Sequence, residues 1–201
     1  LKEYEPDDKT LEKVFQLNSK YDSQVNGEDA GLRNVEWSLK SMQWDNLFNY
    51  GEGNTINFEK LNGVVGVFGK NYSGKSSVID SALYTIYNSI SKNNRKNLNI
   101  INQNKQSGCG RVEIDIDGKA YIIERKSEKY KKKLHGEETD EAKTDVEFSM
   151  IDPATGEETS MNSLDRNGTD KAIRKIFGSI DDFLLTSMSS QMGAMTFINE
   201  G

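Results

Sequence analysis

Gly63-Val64-Val65-Gly66-Val67-Phe68-Gly69-Lys70-Asn71-Tyr72-Ser73-Gly74-Lys75-Ser76-Ser77-Val78 is the stretch from which the fold of this chain is read. Gly63 to Phe68 is a continuous apolar run of strand length, the pattern of a buried strand. Gly69 and Gly74 permit the tight turn and close backbone approach that let loop amides point inward at an anion. Lys75 supplies a point charge for β- and γ-phosphates, and the Ser76 hydroxyl is placed to ligate Mg²⁺. Behind them Val78, Ile79, Ala82, Leu83, Ile86, Tyr87 and Ile90 recur at three- and four-residue intervals, describing a helix with a broad apolar face. That helix brings the positive end of its dipole to the same loop. Strand, loop and helix in this order make a phosphate loop rather than a glycine turn that merely opens a helix. The chain is therefore expected to bind ATP with Mg²⁺ through Gly69, Lys70, Asn71, Tyr72, Ser73, Gly74, Lys75, Ser76 and Ser77.

Upstream of this unit the pattern is extended. Two strand candidates, around Trp37 to Leu47 and Thr55 to Phe58, are joined through Asn49-Tyr50-Gly51-Glu52-Gly53-Asn54. Residues 1–36 carry nine acids against five bases. An amphipathic helix is expected over residues 8–22, with Leu11, Val14, Phe15 and Tyr21 on one face behind Asp7 and Asp8. Residues 1–34 thus read as a helical appendage to a domain over 35–201.

Downstream, a polar crossing from Ser91 to Gly110 leads to the alternating Arg111-Val-Glu-Ile-Asp-Ile-Asp117, a turn at Gly118-Lys119, and a return strand through Arg125. A further strand is expected from Val146 to Ile151, ending in a Pro153–Gly156 turn. Two helices follow, one near Asp170–Phe177 stopped by Gly178, the other from Asp181 or Asp182 towards Ser190.

A P-loop enzyme also needs an acid at the end of another hydrophobic strand to hold Mg²⁺ through water. Val112 to Asp117 alternates apolar and acidic residues, the mark of a half-exposed antiparallel strand, and does not qualify. No guanine-reading Asn-Lys-x-Asp occurs, because Asn104-Lys105 runs on into Gln106-Ser107. The chain reads as half of an active site.

Length and composition bound the rest. The 201 residues suit one globular domain with a core, and a net charge of −6 excludes a uniformly basic nucleic-acid coat while leaving room for a local basic patch. Cys109 is the single cysteine, so no intrachain disulfide can form. The apolar runs are far shorter than the roughly 20 residues needed to span a bilayer, and no secretory signal is expected. A cytoplasmic protein with no membrane association is expected.

Five elements in this order resemble the N-terminal half of the ATPase head in the SbcC-type family, the long coiled-coil ATPases that work with a nuclease in double-strand-break repair and recombination. The resemblance rests on the extended pair ending in Asn54-Thr55-Ile56-Asn57-Phe58 and on Gly69-Lys70-Asn71 with Ser73-Gly74-Lys75-Ser76-Ser77. It rests also on Val78-Ile79-Asp80-Ser81-Ala82-Leu83, on the hairpin with Tyr121 and Arg125, and on Phe177-Gly178, Phe183 and Gln191. It covers about residues 35–201. Leu17-Asn18 and Arg33-Asn34-Val35 look more like phage-encoded relatives than cellular ones.

The resemblance implies an α/β P-loop NTPase of the ABC/SMC head type: an N-terminal lobe of antiparallel sheet with a P-loop strand and helix, lacking its C-terminal lobe. It implies that Gln191 is a second site residue, reaching Mg²⁺ and sensing the γ-phosphate; Lys75 and Gln191 are then the catalytic contributions of this lobe, and Ser76 and Gln191 its metal contacts. Two departures bear on this. Met192 stands where the family has Gly directly after the Gln, and Tyr72 stands where a small residue is usual. The implied partners are the C-terminal lobe of the same ATPase, a second head in a homodimer, a metallophosphoesterase-type nuclease subunit and double-stranded DNA ends. The chain stops at Gly201, where a coiled coil is expected to begin, and alone it is expected to bind nucleotide weakly.

Arg125 to Lys133 carries six bases against one acid, and Gly136 to Asp145 balances it with five acids. Such a run either follows a DNA backbone, with Lys131, Lys132 and Lys133 as the contacts, or is a solvated hairpin tip. Arg95 sits where related heads carry an arginine near nucleotide or DNA, and is otherwise a surface side chain. His135 has no partners at metal spacing, and Met188, Met192 and Met195 read as core or interface. Two rival functions remain open: an SMC-like or RecN-like head that tethers DNA with no nuclease partner, and a compact P-loop kinase or GTPase complete in this chain.

Overall fold

The computed structural model describes residues 12–17, 37–91, 97–134 and 137–187. The chain divides into two compact units, Leu1–Asn34 and Val35–Gly201. In the first, a helix (α1) over residues 12–17 lies inside the expected 8–22 span, the remainder of which falls outside the described residues.

The second unit is built on one sheet. Its strands are β1 (Trp37–Asp45), β2 (Asn54–Asn57), β3 (Ser107–Ile116), β4 (Lys119–Leu134), β5 (Glu137–Ile151) and β6 (Glu158–Ser160). They lie in the order β2-β1-β3-β4-β5-β6, and each neighbouring pair is antiparallel. Among the described residues the unit also holds helices α2 (Lys75–Tyr87), α3 (Arg166–Phe177) and α4 (Ile180–Thr186). It is an α/β unit with an antiparallel sheet and, among the described residues, few helices.

Period-two alternation decides which face of the sheet is covered. Along β3, Gly108, Gly110, Val112, Ile114 and Ile116 are buried while Arg111, Glu113 and Asp115 are only partly so. Met42 and Trp44 of β1, Ile123 of β4 and Val146 and Phe148 of β5 extend the same apolar face, and Leu83, Tyr84, Ile86 and Tyr87 of α2 pack onto it. Gly110 marks the closest approach: a Cβ there would collide with the Thr85 hydroxyl, so α2 rests on bare strand backbone.

Arg125 locks this packing. It is fully buried, although it opens the basic run. Its Nε donates to the carbonyl of Thr85 at 2.9 Å and its Nη2 to that of Ile86 at 3.3 Å. These are carbonyls of the last turn of α2, which have no partner within the helix, and a cation suits the negative end of the helix dipole. Nη2 also reaches Asp170 of α3 at 2.7 Å, tying strand, helix and helix together. Burial pushes the guanidinium pKa down, and the Asp170 carboxylate works against that shift. Arg125 is therefore structural and is not part of the solvent-facing side of the basic run.

Alpha3 begins at Asp165, whose carboxylate accepts from the Gly168 amide at 2.7 Å, and ends at Gly178 with φ of 78°. Alpha4 opens with a capping box between Ser179 and Asp182. It ends at Thr186 with Ser187 as its C-cap, so the expected run towards Ser190 is broken there, and residues 188–190 lie outside the described residues. Phe177 at the end of α3 meets Trp37, Tyr121 and Phe148 edge-on at centroid distances of 5.8, 6.2 and 6.1 Å, closing the core under the sheet.

Two expectations need correction. The run Gly63–Phe68 forms no strand and is exposed, Val64 at 103% and Phe68 at 93%. A central strand needs neighbours for its amides and carbonyls and cover on both faces, and among the described residues no element supplies them. The second correction concerns length: the strand expected at 146–151 begins at Glu137, and with β4 it makes a ribbon that runs beyond the reach of β3.

Candidate functional site

The phosphate loop leads directly into α2, as the sequence predicts. Gly74 caps the helix with φ of 93°, a conformation glycine adopts without strain. The loop is wound tightly: a Cβ on Gly69 would lie 2.7 Å from the Ser73 hydroxyl, and the Ser73 amide donates to the Lys70 carbonyl at 3.2 Å. Lys75 reaches back across the turn, its Nζ donating to the carbonyls of Gly69 and Lys70, both at 2.8 Å. A side chain from the first turn of α2 thus closes the ring of residues 69–75 and sets an ammonium among its backbone groups.

This arrangement fits a triphosphate. The first amides of a helix have no intrahelical acceptors, the dipole favours negative charge, and the Lys75 ammonium can exchange its two carbonyl partners for phosphate oxygens. Ser76, in the first turn and exposed, offers a hydroxyl on the solvent side, where a cation bound to phosphate would sit. Lys70, Asn71, Tyr72 and Ser73 are exposed along the loop, and Ser77 donates its amide to the Gly74 carbonyl at 2.9 Å. Tyr72 keeps its ring in solvent at 101% exposure with φ of 65°, a left-handed conformation that is uncommon for a residue other than glycine.

Two residues without a role in the sequence reading lie against this loop. The Tyr50 hydroxyl donates to the Gly74 carbonyl at 3.1 Å. The Asn49 side chain lies beneath Gly74, where a Cβ would come within 2.7 Å of its Oδ1 and 2.9 Å of its Nδ2, and that amide reaches the Tyr72 carbonyl at 3.5 Å. In the sequence both belong to a polar connection between two strands. The aromatic at position 50 is the one local sign that the connection packs against something.

The segment bearing them is held from behind. Phe48 donates its amide to the Ile100 carbonyl at 2.6 Å, Asn102 donates its amide to that of Asn46 at 2.8 Å, and the Asn102 side chain donates to the Tyr50 carbonyl at 2.9 Å. Lys129, at the base of the ribbon, donates to the Asn102 carbonyl at 2.9 Å. Trp44 meets the Tyr50 ring edge-on at 5.3 Å.

The remaining predicted residues are dispersed. Gln191 and Arg95 lie outside the described residues, as do His135, Met188, Met192 and Met195. Lys131, Lys132 and Lys133 stand on the far half of β4, each within 3.5 Å of a carboxylate of β5: Glu138 for Lys131 and Lys133, Glu141 for Lys132. These pairs are exposed and exchangeable, so a polyanion could compete for the lysines. Two open hollows of about 390 and 530 Å³ flank the ribbon base, lined by Gln103, Lys129 and Asp140, and no phosphate-loop residue lines either. These hollows hold Lys129 already engaged with the carbonyls of Asn102 and Gln103.

The sequence is similar to those of known proteins. A family model described as an AAA domain matches residues 41–197. Over 96% of its length this chain is 28% identical to the uncharacterized protein R555 of Acanthamoeba polyphaga mimivirus, of which it covers 15%. It is 30% identical over 142 residues to the SbcC subunit of the nuclease SbcCD from Clostridium acetobutylicum, covering 68% of this chain and 11% of that protein. It is 30% identical over 87 residues to the DNA double-strand break repair Rad50 ATPase of Sulfolobus acidocaldarius, covering 43% of this chain and 10% of that protein. The chain spans 10% to 15% of the length of these curated relatives.

Proposed function

The chain belongs to the AAA domain family and is an N-terminal SbcC/Rad50-like ATPase head, and from that premise we propose that it binds Mg·ATP as one half of a composite site in a DNA end-processing complex. The observation that carries this is the exposed apolar run Val64–Phe68, which leads into a fully formed phosphate loop. A self-contained P-loop kinase or GTPase would bury this run between strands of its own. The C-terminal lobe of the same ATPase is the natural source of the missing strands, and with them the acid that holds Mg²⁺ through water and the group that positions the attacking water.

In this reading the backbone amides of residues 70–76 and the start of α2 receive the phosphates, and Lys75 neutralises charge on the β- and γ-positions. Ser76 and Gln191 hold Mg²⁺, which when bound offsets the charge developing on the transferred phosphoryl group. Two such heads close on their nucleotides as a homodimer and regulate a metallophosphoesterase-type nuclease subunit at double-stranded DNA ends. Lys131, Lys132 and Lys133 exchange their carboxylate partners for DNA phosphates in that assembly, a contact that weakens as salt rises.

Two experiments test this. In the full-length protein, Lys75→Ala should abolish ATP binding measured by calorimetry, and undiminished binding would sink the nucleotide assignment. Affinity purification of the full-length protein should recover a metallophosphoesterase; its consistent absence would favour a tethering ATPase without a nuclease.

A further inference from the structure

The Gly74 peptide joins the phosphate loop to α2, and its carbonyl is bonded both by the first turn of α2 and by a side chain from outside loop and helix. In a trans peptide the carbonyl and the following N–H point in opposite directions. The Tyr50 hydroxyl, 3.1 Å from the Gly74 carbonyl, therefore directs the Lys75 N–H away from Tyr50, at the one residue where both main chain and side chain serve the anion. The same carbonyl accepts the Ser77 amide at 2.9 Å, so the first turn of α2 and Tyr50 grip one oxygen from two sides. Gly74 has φ of 93°, a conformation open to glycine, so its peptide relies on these two hydrogen bonds for its orientation.

Tyr50 is equipped to hold it. Its ring is stacked edge-on by Trp44, itself 4% exposed, and its carbonyl is held by Asn102. Asn49 fills the space beneath Gly74, so the peptide has little room to rotate towards the sheet. Resting on the ATP-binding reading above, we propose that Tyr50, seconded by Asn49, is a positioning residue that holds the phosphate loop in its anion-receiving conformation. Neither side chain needs to touch the nucleotide; both act through the Gly74 peptide.

A single neutral hydrogen bond of this kind corresponds to about a fivefold change in an equilibrium constant. The test uses the full-length protein and Mg·ATP, with binding by calorimetry, steady-state turnover, and thermal unfolding without nucleotide. Tyr50→Phe removes the hydroxyl and keeps the ring. It should weaken ATP binding about fivefold and raise KM similarly, while kcat and the nucleotide-free unfolding temperature stay as in the parent. Asn49→Ala should weaken binding about two- to fivefold by freeing the same peptide, and it decides the matter should Tyr50→Phe not fold.

Affinity within twofold of the parent for Tyr50→Phe, or for Asn49→Ala in its place, would overturn the inference. So would a loss of affinity that merely tracks a lowered unfolding temperature, because that is the signature of a packing role. Lys75→Ala, measured alongside, separates the two levels: if it binds ATP normally the nucleotide reading has failed, whereas if it loses binding and Tyr50→Phe does not, only the positioning role has.

Discussion

At the scale of single residues, Arg125 shows how far position can override type. As the first of six bases in nine residues it belongs to a solvent-facing run, yet strand alternation turns it inward, with Ser127, onto α2. There it serves two carbonyls and one carboxylate, while its Nη1 has no partner among the described residues. Removing one member of a buried pair leaves the other charge uncompensated, at a cost of about 3–5 kcal/mol. Arg125→Ala should accordingly shift the urea midpoint far down. Arg125→Met combined with Asp170→Leu should recover part of that loss, and a double variant no more stable than Arg125→Ala would show that the helix carbonyls, and not the ion pair, carry the effect. The turn through Gly74 into α2 was legible because it depends on local spacing. Tyr50 was not, because its partner lies 24 residues away and is a backbone oxygen that no side-chain pattern reports.

At the scale of elements, α2 is where fold and site meet: its first turn serves the phosphate loop and its last turn is anchored by Arg125. Between these ends Tyr84 and Tyr87 face the sheet. Burial pushes both phenols up to about 12; the hydrogen bond to Ser127 works against this at Tyr84, and the Asp182 carboxylate adds to it at Tyr87. Because the folded pKa lies above the ordinary value of about 10, the unfolded chain gives up these protons first as pH rises. Their contribution to stability is therefore complete below about pH 10 and is lost between about pH 10 and 12. Far-UV circular dichroism and tyrosinate absorbance should show unfolding in that window, and Tyr84→Phe should make stability fall less steeply there. The ribbon is a contrasting element. The return strand through Arg125 predicts its start, but not a β4 of 16 residues and a β5 of 15, because the outer part of the ribbon is mostly charged or polar and leaves no apolar period to read.

At the scale of the whole molecule, the exposed apolar run before the phosphate loop is where the proposed partner lobe would dock. Val64, Val67 and Phe68 are exposed at 103%, 63% and 93%. Amide hydrogen exchange should be fast over residues 64–68 in this unit alone, and it should slow once the C-terminal lobe of the same ATPase is supplied. Continued fast exchange in a stable two-lobe complex would show that the lobe docks elsewhere. Among the described residues no helix is long and apolar enough to cross a membrane. The sequence by itself determined the phosphate loop, the helix behind it, the β3–β4 hairpin and the helix ended by Gly178, because each follows from neighbours a few residues apart in turn chemistry, period or capping. Only the tertiary structure decided that the run 63–68 stands unpaired, that Arg125 is buried beneath α2, and that Tyr50 holds the Gly74 peptide. Those outcomes depend on what residues far apart in the chain bring to one point: backbone partners, carbonyls or a hydroxyl, none of which leaves a mark in the spacing of side chains.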